Sequence, residues 1–376
     1  MKYMGSKRTM LQNGLGELLT THCMDRARVV DLFCGAGSVS WFSAINCQKK
    51  VLAVDLQSYA TTLAGSVICR TRKIDPDRIS DRWLKPESKR ARSRSLYKRA
   101  VSIHEGAKDA VAWVLDSRQL SSETKAGVIF NSYGGYYYSP AQAVIFDRLL
   151  QSLPENKSER IVCLAAITIA ASQCAASPGH TAQPFQPTNT AIRFIVESWS
   201  KDPELYIRRA LETICNKHAT VQGDVRVSDA LDIADKLDES DLVFLDPPYS
   251  GVHYSRFYHV LETISRGYAS EVSGVGRYPP SDERPVSAFS RKSESVAAID
   301  SLLSSLASQG CKVIFTFPAG ECSNGLSGGT VQEIASNYFR VQETVVKSRF
   351  STMGGNGVRR DARKDISELI LVLESR

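Results

Sequence analysis

The chain has 376 residues, of which 43% are hydrophobic and 23% charged. These are ordinary proportions for a globular protein, and the length suffices for a core without disulfides or metals. Lys and Arg number 47 against 40 Asp and Glu, a net charge of +7, so the location of the excess matters more than its size. No run of about 18 uncharged apolar residues exists, which excludes a membrane-spanning helix. The segment MKYMGSKRTML has no apolar stretch behind its basic residues, so no secretory signal is expected and the cytoplasm is the expected location. The nine cysteines are odd in number and form no CxxC pair. Reduced thiols are therefore expected rather than a disulfide scaffold or a zinc ribbon. The six histidines include no HExxH, and no metal site is expected.

In chain order, Arg28 to Phe33 (RVVDLF) reads as a buried strand ending near an acid. Cys34 to Ser38 (CGAGS) follows as a tight turn, Val39 to Asn46 as a helix, and Val51 to Asp55 (VLAVD) as a second strand. Strand, Gly-rich turn, helix and strand open a doubly wound α/β sheet. The pattern resumes near residue 219. Ala219 to Val221 leads into Gly223 and Asp224 as a short strand with an acidic end. Asp241 to Asp246 (DLVFLD), Cys311 to Phe317, Val341 to Lys347 and Ile366 to Leu373 complete seven candidate strands. Residues 1–72 and 219–376 thus predict one discontinuous α/β domain, and 73–218 an insertion.

The insertion opens on a basic run, Leu84 to Ala100. Lys85, Lys89, Arg90, Arg92, Arg94, Lys98 and Arg99 there face a single acid, Glu87. Its middle is aromatic (NSYGGYYYS, Asn131 to Ser139), and Ile161 to Ser172 has a helical pattern. Gly267 to Ser295 reads as a surface loop.

Three constellations carry chemistry. In DLFCGAGS (Asp31 to Ser38), Gly35 and Gly37 let the backbone turn sharply and approach a ligand. The absence of a third glycine argues against NAD. Asp55, at the end of the second strand, stands where an acid grips the ribose of a nucleoside ligand. Asp246-Pro247-Pro248-Tyr249 follows a buried strand. The two prolines stiffen the exit and remove two donors, fixing Asp246 and Tyr249 at the carboxyl edge of the sheet.

DLFCGAG followed far downstream by DPPY resembles the S-adenosylmethionine-dependent amino-methyltransferases of DNA. The N-terminal YMGSKR (Tyr3 to Arg8) is similar to the Trp/Tyr-x-Gly-Gly/Ser-Lys motif of Dam-like, alpha-class adenine methylases. Position 3 is Tyr where Trp is common, and positions 5 and 6 are Gly-Ser rather than Gly-Gly. YGGYYYSPAQA, PGHTAQPF and YSRFYHVLET fit a long subgroup of that class. The resemblance implies a Rossmann-like seven-stranded methyltransferase sheet carrying a large, mainly helical target-recognition domain. It implies a pocket for S-adenosylmethionine lined by Tyr3 and Lys7. Asp31, Phe33, Gly35 and Gly37 would hold the methionine end, Asp55 the ribose, and Asp224 the region of the adenine. Asp246, Pro247, Pro248 and Tyr249 would hold the target amine, with Phe257 or Tyr258 as neighbours of a flipped base.

The expected partner is double-stranded DNA, and the expected setting is restriction-modification or a related defence system with a cognate nuclease or other defence protein. In a DNA enzyme the basic run from Lys85 to Arg99 is expected to touch phosphates, which position without specifying. Tyr136 to Tyr138 are left open between stacking and packing. Ser348 to Lys364, polar and basic, is expected as a second DNA-facing loop. Three alternatives stay open at this point: an RNA amino-methyltransferase, cytosine-N(4) methylation, and a catalytically inactive DNA-binding module.

Overall fold

The structure is a computed structural model and describes residues 7–351 and 363–376. Seven strands form one sheet: β1 Arg28–Asp31, β2 Lys50–Asp55, β3 Asp224–Val227, β4 Asp241–Leu245, β5 Lys312–Pro318, β6 Phe339–Ser351 and β7 Arg363–Ser375. Their order is β3-β2-β1-β4-β5-β7-β6. β1 to β5 are parallel, and β7 enters antiparallel between β5 and β6. This is the expected mixed α/β, Rossmann-like methyltransferase sheet. Helices cover both faces of such a sheet, so its central strands read as unbroken apolar runs. Every residue of β4 is buried accordingly. Val30, Val54, Leu245, Phe315 and Phe317 share one core cluster with the helices Ala230–Ala234, Ser295–Ser308 and Gly328–Tyr338.

One strand differs from the sequence reading. Ala219 and Thr220 donate to the carbonyls of Val67 and Ala44 instead of pairing in the sheet, and the strand begins at Asp224 rather than ending there. Gly223 permits this, because a Cβ there would stand 2.3 Å from the Val51 carbonyl oxygen.

The chain divides into two compact units. The sheet unit runs up to Arg72 and takes in His218–Tyr254 and Pro285–Arg376. The other comprises Lys73–Lys217 together with Ser255–Arg284, a stretch that the sequence had grouped with the sheet. Its regular structure among the described residues is helical. Tyr133 hydrogen-bonds Thr263 at 2.8 Å, and Thr181 donates to the Phe257 carbonyl, which joins the two stretches. Asn156 and Asp202 cap helices by accepting first-turn amides, and Ser139 pairs with Gln142 in a reciprocal capping box. Within Ser348 to Lys364, residues 348–351 and 363–364 extend β6 and β7, and 352–362 lie outside the described residues.

Candidate active site

The site lies in the sheet unit, where β1, β2, β4 and β5 end. β1 finishes at Asp31, and Leu32 and Phe33 lead into the glycine turn. Gly35 and Gly37 both take positive φ, 46° and 76°. The Gly37 amide donates to the Cys34 carbonyl at 2.7 Å, closing the turn ahead of the helix Ser38–Asn46. A Cβ on Gly37 would stand 3.1 Å from the Ala64 Cα, so glycine is required for conformation and for space.

Asp55, at the end of β2, ties this turn to its own strand. Its Oδ2 accepts the Gly35 amide and its Oδ1 the Gln57 amide, each at 3.0 Å. Asp31 is buried, with Oδ2 accepting from the Ser40 hydroxyl at 2.5 Å and Oδ1 left without a hydrogen-bond partner. Burial pushes its carboxyl up to about 7 against the Ser40 hydrogen bond, with Asp246 and Asp55 adding repulsion. Phe33 packs edge-on against Phe289, with ring centroids 5.1 Å apart. Cys34 is buried, and burial beside Asp55 and Asp31 holds its thiol protonated, so it offers no nucleophile.

At the end of β4 stands Asp246, with its side chain 18% exposed. Its Oδ1 meets Lys7 Nζ at 3.0 Å and accepts from Thr316 Oγ1 at 3.2 Å. Lys7 is buried and also donates to Glu368 Oε2 at 2.9 Å. One ammonium therefore serves two carboxylates. Burial opposes the charge on Lys7, but Asp246 and Glu368 outweigh it and raise its pKa. Burial likewise pushes Asp246 up to about 6, with Lys7 pulling down and Glu368 pushing further up. The pairing of Pro318 with Glu368 between β5 and β7 brings this acid to the edge. The sequence reading missed Glu368. Its signal was a single acid inside the apolar run ISELILVL.

The turn after Asp246 is clamped from one loop. Asn324, fully buried, donates through Nδ2 to the carbonyls of Pro248 and Phe289, at 3.0 Å each. The Gly251 amide donates to Ser323 Oγ at 2.9 Å. Tyr249 is half-buried against the sheet core. Burial, then the neighbouring Tyr254, Asp246 and Glu368, push its hydroxyl above the usual tyrosine range.

Asp224 stands elsewhere than expected. It opens β3, opposite Leu52, and pairs with Lys50 at 2.6 Å on an exposed surface. The edge falls three residues later, where Val227 lies opposite Asp55 and the Ser228 amide donates to the Asp55 carbonyl. The acid at that edge is Asp229, which caps the helix Ala230–Ala234 by accepting from the Leu231 amide. Tyr3 lies outside the described residues. Phe257 and Tyr258 belong to the helical unit, and Tyr258 is buried. No group of three or more metal-ligating side chains occurs among the described residues, and no helix among them is long and apolar enough to cross a membrane.

A buried carboxylate just before a double-glycine turn and a clamped Asp-Pro-Pro-Tyr thus occupy one edge of a seven-stranded sheet. The model of the D12 class N6 adenine-specific DNA methyltransferases matches residues 3–118 and 155–308. The chain belongs to this family. Among curated proteins, none matches it significantly. Membership makes the protein a DNA methyltransferase specific for adenine and implies a methyl donor.

Proposed function

We propose that the sheet unit binds S-adenosylmethionine and methylates the exocyclic amine of an adenine flipped out of duplex DNA. The observation that carries this reading is Asp246. Lys7 and Thr316 both occupy its Oδ1, which leaves Oδ2 as the acceptor for a target amine. A stacked and paired adenine cannot reach a group at a sheet edge, so the base must leave the duplex.

The residues present fit a cationic donor. Asp31, Asp55, Asp246 and Glu368 set four carboxylates against the single ammonium of Lys7. Asp31 Oδ1 is a buried acceptor with no partner, suited to the donor's ammonium. The bare backbone at Gly35 and Gly37 and the Phe33 ring would line its methionine end, with Lys7 beside the pocket. Asp55, held at this edge by the Gly35 and Gln57 amides, would accept a ribose hydroxyl of the donor. Asp229, rather than Asp224, stands where the adenine of the donor would lie. When bound, S-adenosylmethionine supplies a methyl group on a cationic sulfur.

The remaining work belongs to the chain. Asp246 Oδ2 and the Pro247 carbonyl accept the two N–H groups of the amine, which localises its lone pair. Asn324 occupies the Pro248 carbonyl and so holds the turn in one conformation. Tyr249 stacks on the base. The proton released from the amine passes to Asp246, whose pKa of about 6 suits a base working near neutrality. Much of the rate then comes from positioning.

The test is incubation with methyl-labelled S-adenosylmethionine and duplex DNA, followed by nucleoside analysis. Label is expected in N6-methyladenine. Asp246→Ala should abolish it while calorimetry still shows donor binding. Label in cytosine or only in RNA, or an active Asp246→Ala, would overturn the reading.

A further inference from the structure

Much of the basic run's positive charge is already committed to acids. Arg92 is bound to Asp202 and Glu204, at 2.9 and 2.6 Å. Arg90 and Lys85 pair with Glu87 and Asp81, and Arg99 lies 3.8 Å from Glu123. Four of its seven cations thus have acidic partners. Arg118, Arg256, Arg277 and Arg284 are among the arginines of this unit that have none among the described residues.

These four are gathered on two tyrosine rings. Arg118 and Arg277 both lie over Tyr136, with Cζ 4.6 and 4.5 Å from its centroid. Arg256 and Arg284 both lie over Tyr278, each at 5.4 Å. Two cations on one ring repel each other, and the Arg118 pKa is lowered by burial and by Arg277. Such an arrangement persists only if the scaffold enforces it. The enforcement is visible around Gly276. Its carbonyl accepts the Tyr137 hydroxyl and faces His259 Nε2, both at 2.9 Å, and a Cβ there would meet the Tyr278 ring at 2.3 Å. Next in the chain, Arg277 adopts φ 54°, a conformation rare for any residue but glycine. Its Nε and Nη2 donate to the carbonyls of Ser132 and Asn131, at 2.9 and 3.1 Å. Arg118 is held in the same way by the Gly135 carbonyl and Gln186. Backbone strain held in place by surrounding structure concentrates at functional positions.

We infer that these four arginines, braced on Tyr136 and Tyr278, form the surface on which the phosphate backbone of duplex DNA docks. The inference rests on the reading of the chain as a DNA methyltransferase. The charges are positive and free of acids. The carbonyl locks use only part of each fork of Arg118 and Arg277, and the remaining guanidinium N–H groups match phosphate oxygens. Because the side chains are already ordered, little rotamer freedom is lost on binding.

The test is fluorescence anisotropy of a labelled duplex across a KCl series, with each variant's fold checked by circular dichroism. Each neutralised phosphate contributes about 0.9 to the slope of log affinity against log salt. Arg118→Gln/Arg277→Gln and Arg256→Gln/Arg284→Gln should each flatten the slope by up to about 1.8. Arg90→Gln/Arg92→Gln should leave it in place. If the double variants melt early, Arg256→Gln alone decides, since its side chain is exposed; it should flatten the slope by about 0.9. Wild-type slopes in the folded variants of the four arginines, or a flattening by Arg90→Gln/Arg92→Gln as large as theirs, would overturn the inference. A wild-type protein that methylates no duplex but loses its salt slope in these variants would overturn the functional reading and leave the surface standing.

Discussion

Glu368→Gln isolates the electrostatics of the site. The Glu368 and Asp246 oxygens touch the same nitrogen, at 2.9 and 3.0 Å, so they stand at most about 6 Å apart. At that separation and an effective dielectric of about 20, two unit charges repel by about 2.8 kcal/mol, equivalent to about 2 pH units. Relaxation of Lys7 toward whichever acid is charged reduces this, so about 1 unit is the expected shift. The sign follows from burial, which raises Asp246 to about 6 with Glu368 adding to the rise. Removing the Glu368 charge lowers the Asp246 pKa and keeps it ionised in more acidic solution. The acid limb of single-turnover methyl transfer should therefore move from about 6 toward about 5, with the plateau at neutral pH largely retained. Lys7→Met should act oppositely. It raises the limb and costs about 3 kcal/mol of stability, because the buried Glu368 and the partly buried Asp246 lose their shared cation. An acid limb that stays at about 6 in Glu368→Gln would refute the shared-ammonium argument, and one that rises would invert it.

Asp55→Ala should weaken donor binding by roughly 10- to 100-fold in calorimetry, the loss of a charged hydrogen bond worth about 1.5–3 kcal/mol; unchanged affinity would remove Asp55 from the ribose. Asp229→Ala should weaken donor binding by more than Asp224→Ala, measured in the same titration, because only Asp229 stands at the edge; the reverse order would restore the original assignment. In the helical unit, Asp147→Ala should lower thermal stability by about 2 kcal/mol, since its carboxylate accepts the Ile129 and Phe130 amides at 2.8 and 2.9 Å. Burial raises the Asp147 pKa to about 7, so its contribution to stability is greatest below about pH 4 and fades as pH rises through 7.

What could be read from the sequence was whatever is encoded locally. β1, β2, β4 and β5 are apolar because helices bury both their faces, and the glycine turn and the proline pair announce themselves by backbone chemistry. β3 was misplaced because four residues bounded by glycine and acid carry almost no periodicity. That small displacement moved Asp224 from the edge of the sheet to its far end. Glu368 was recognisable as an odd acid in a strand, yet its partner lies 361 residues away. The insertion of β7 beside β5 carries Glu368 to the edge where Lys7 meets it.

The basic run shows the same limit with a functional consequence. Seven cations against one nearby acid read as free charge, because a linear count sees only neighbours in sequence. Arg92 is neutralised by Asp202 and Glu204, 110 and 112 residues downstream. Arg118, Arg256, Arg277 and Arg284 stand apart in the sequence and form no run, yet two rings collect them. Which arginines are available to a polyanion depends on where the acids fold to, and acids are distributed by the packing of helices. Density of charge along the chain is therefore a poor guide to a phosphate-binding surface, and the absence of a carboxylate partner in the folded unit is a better one.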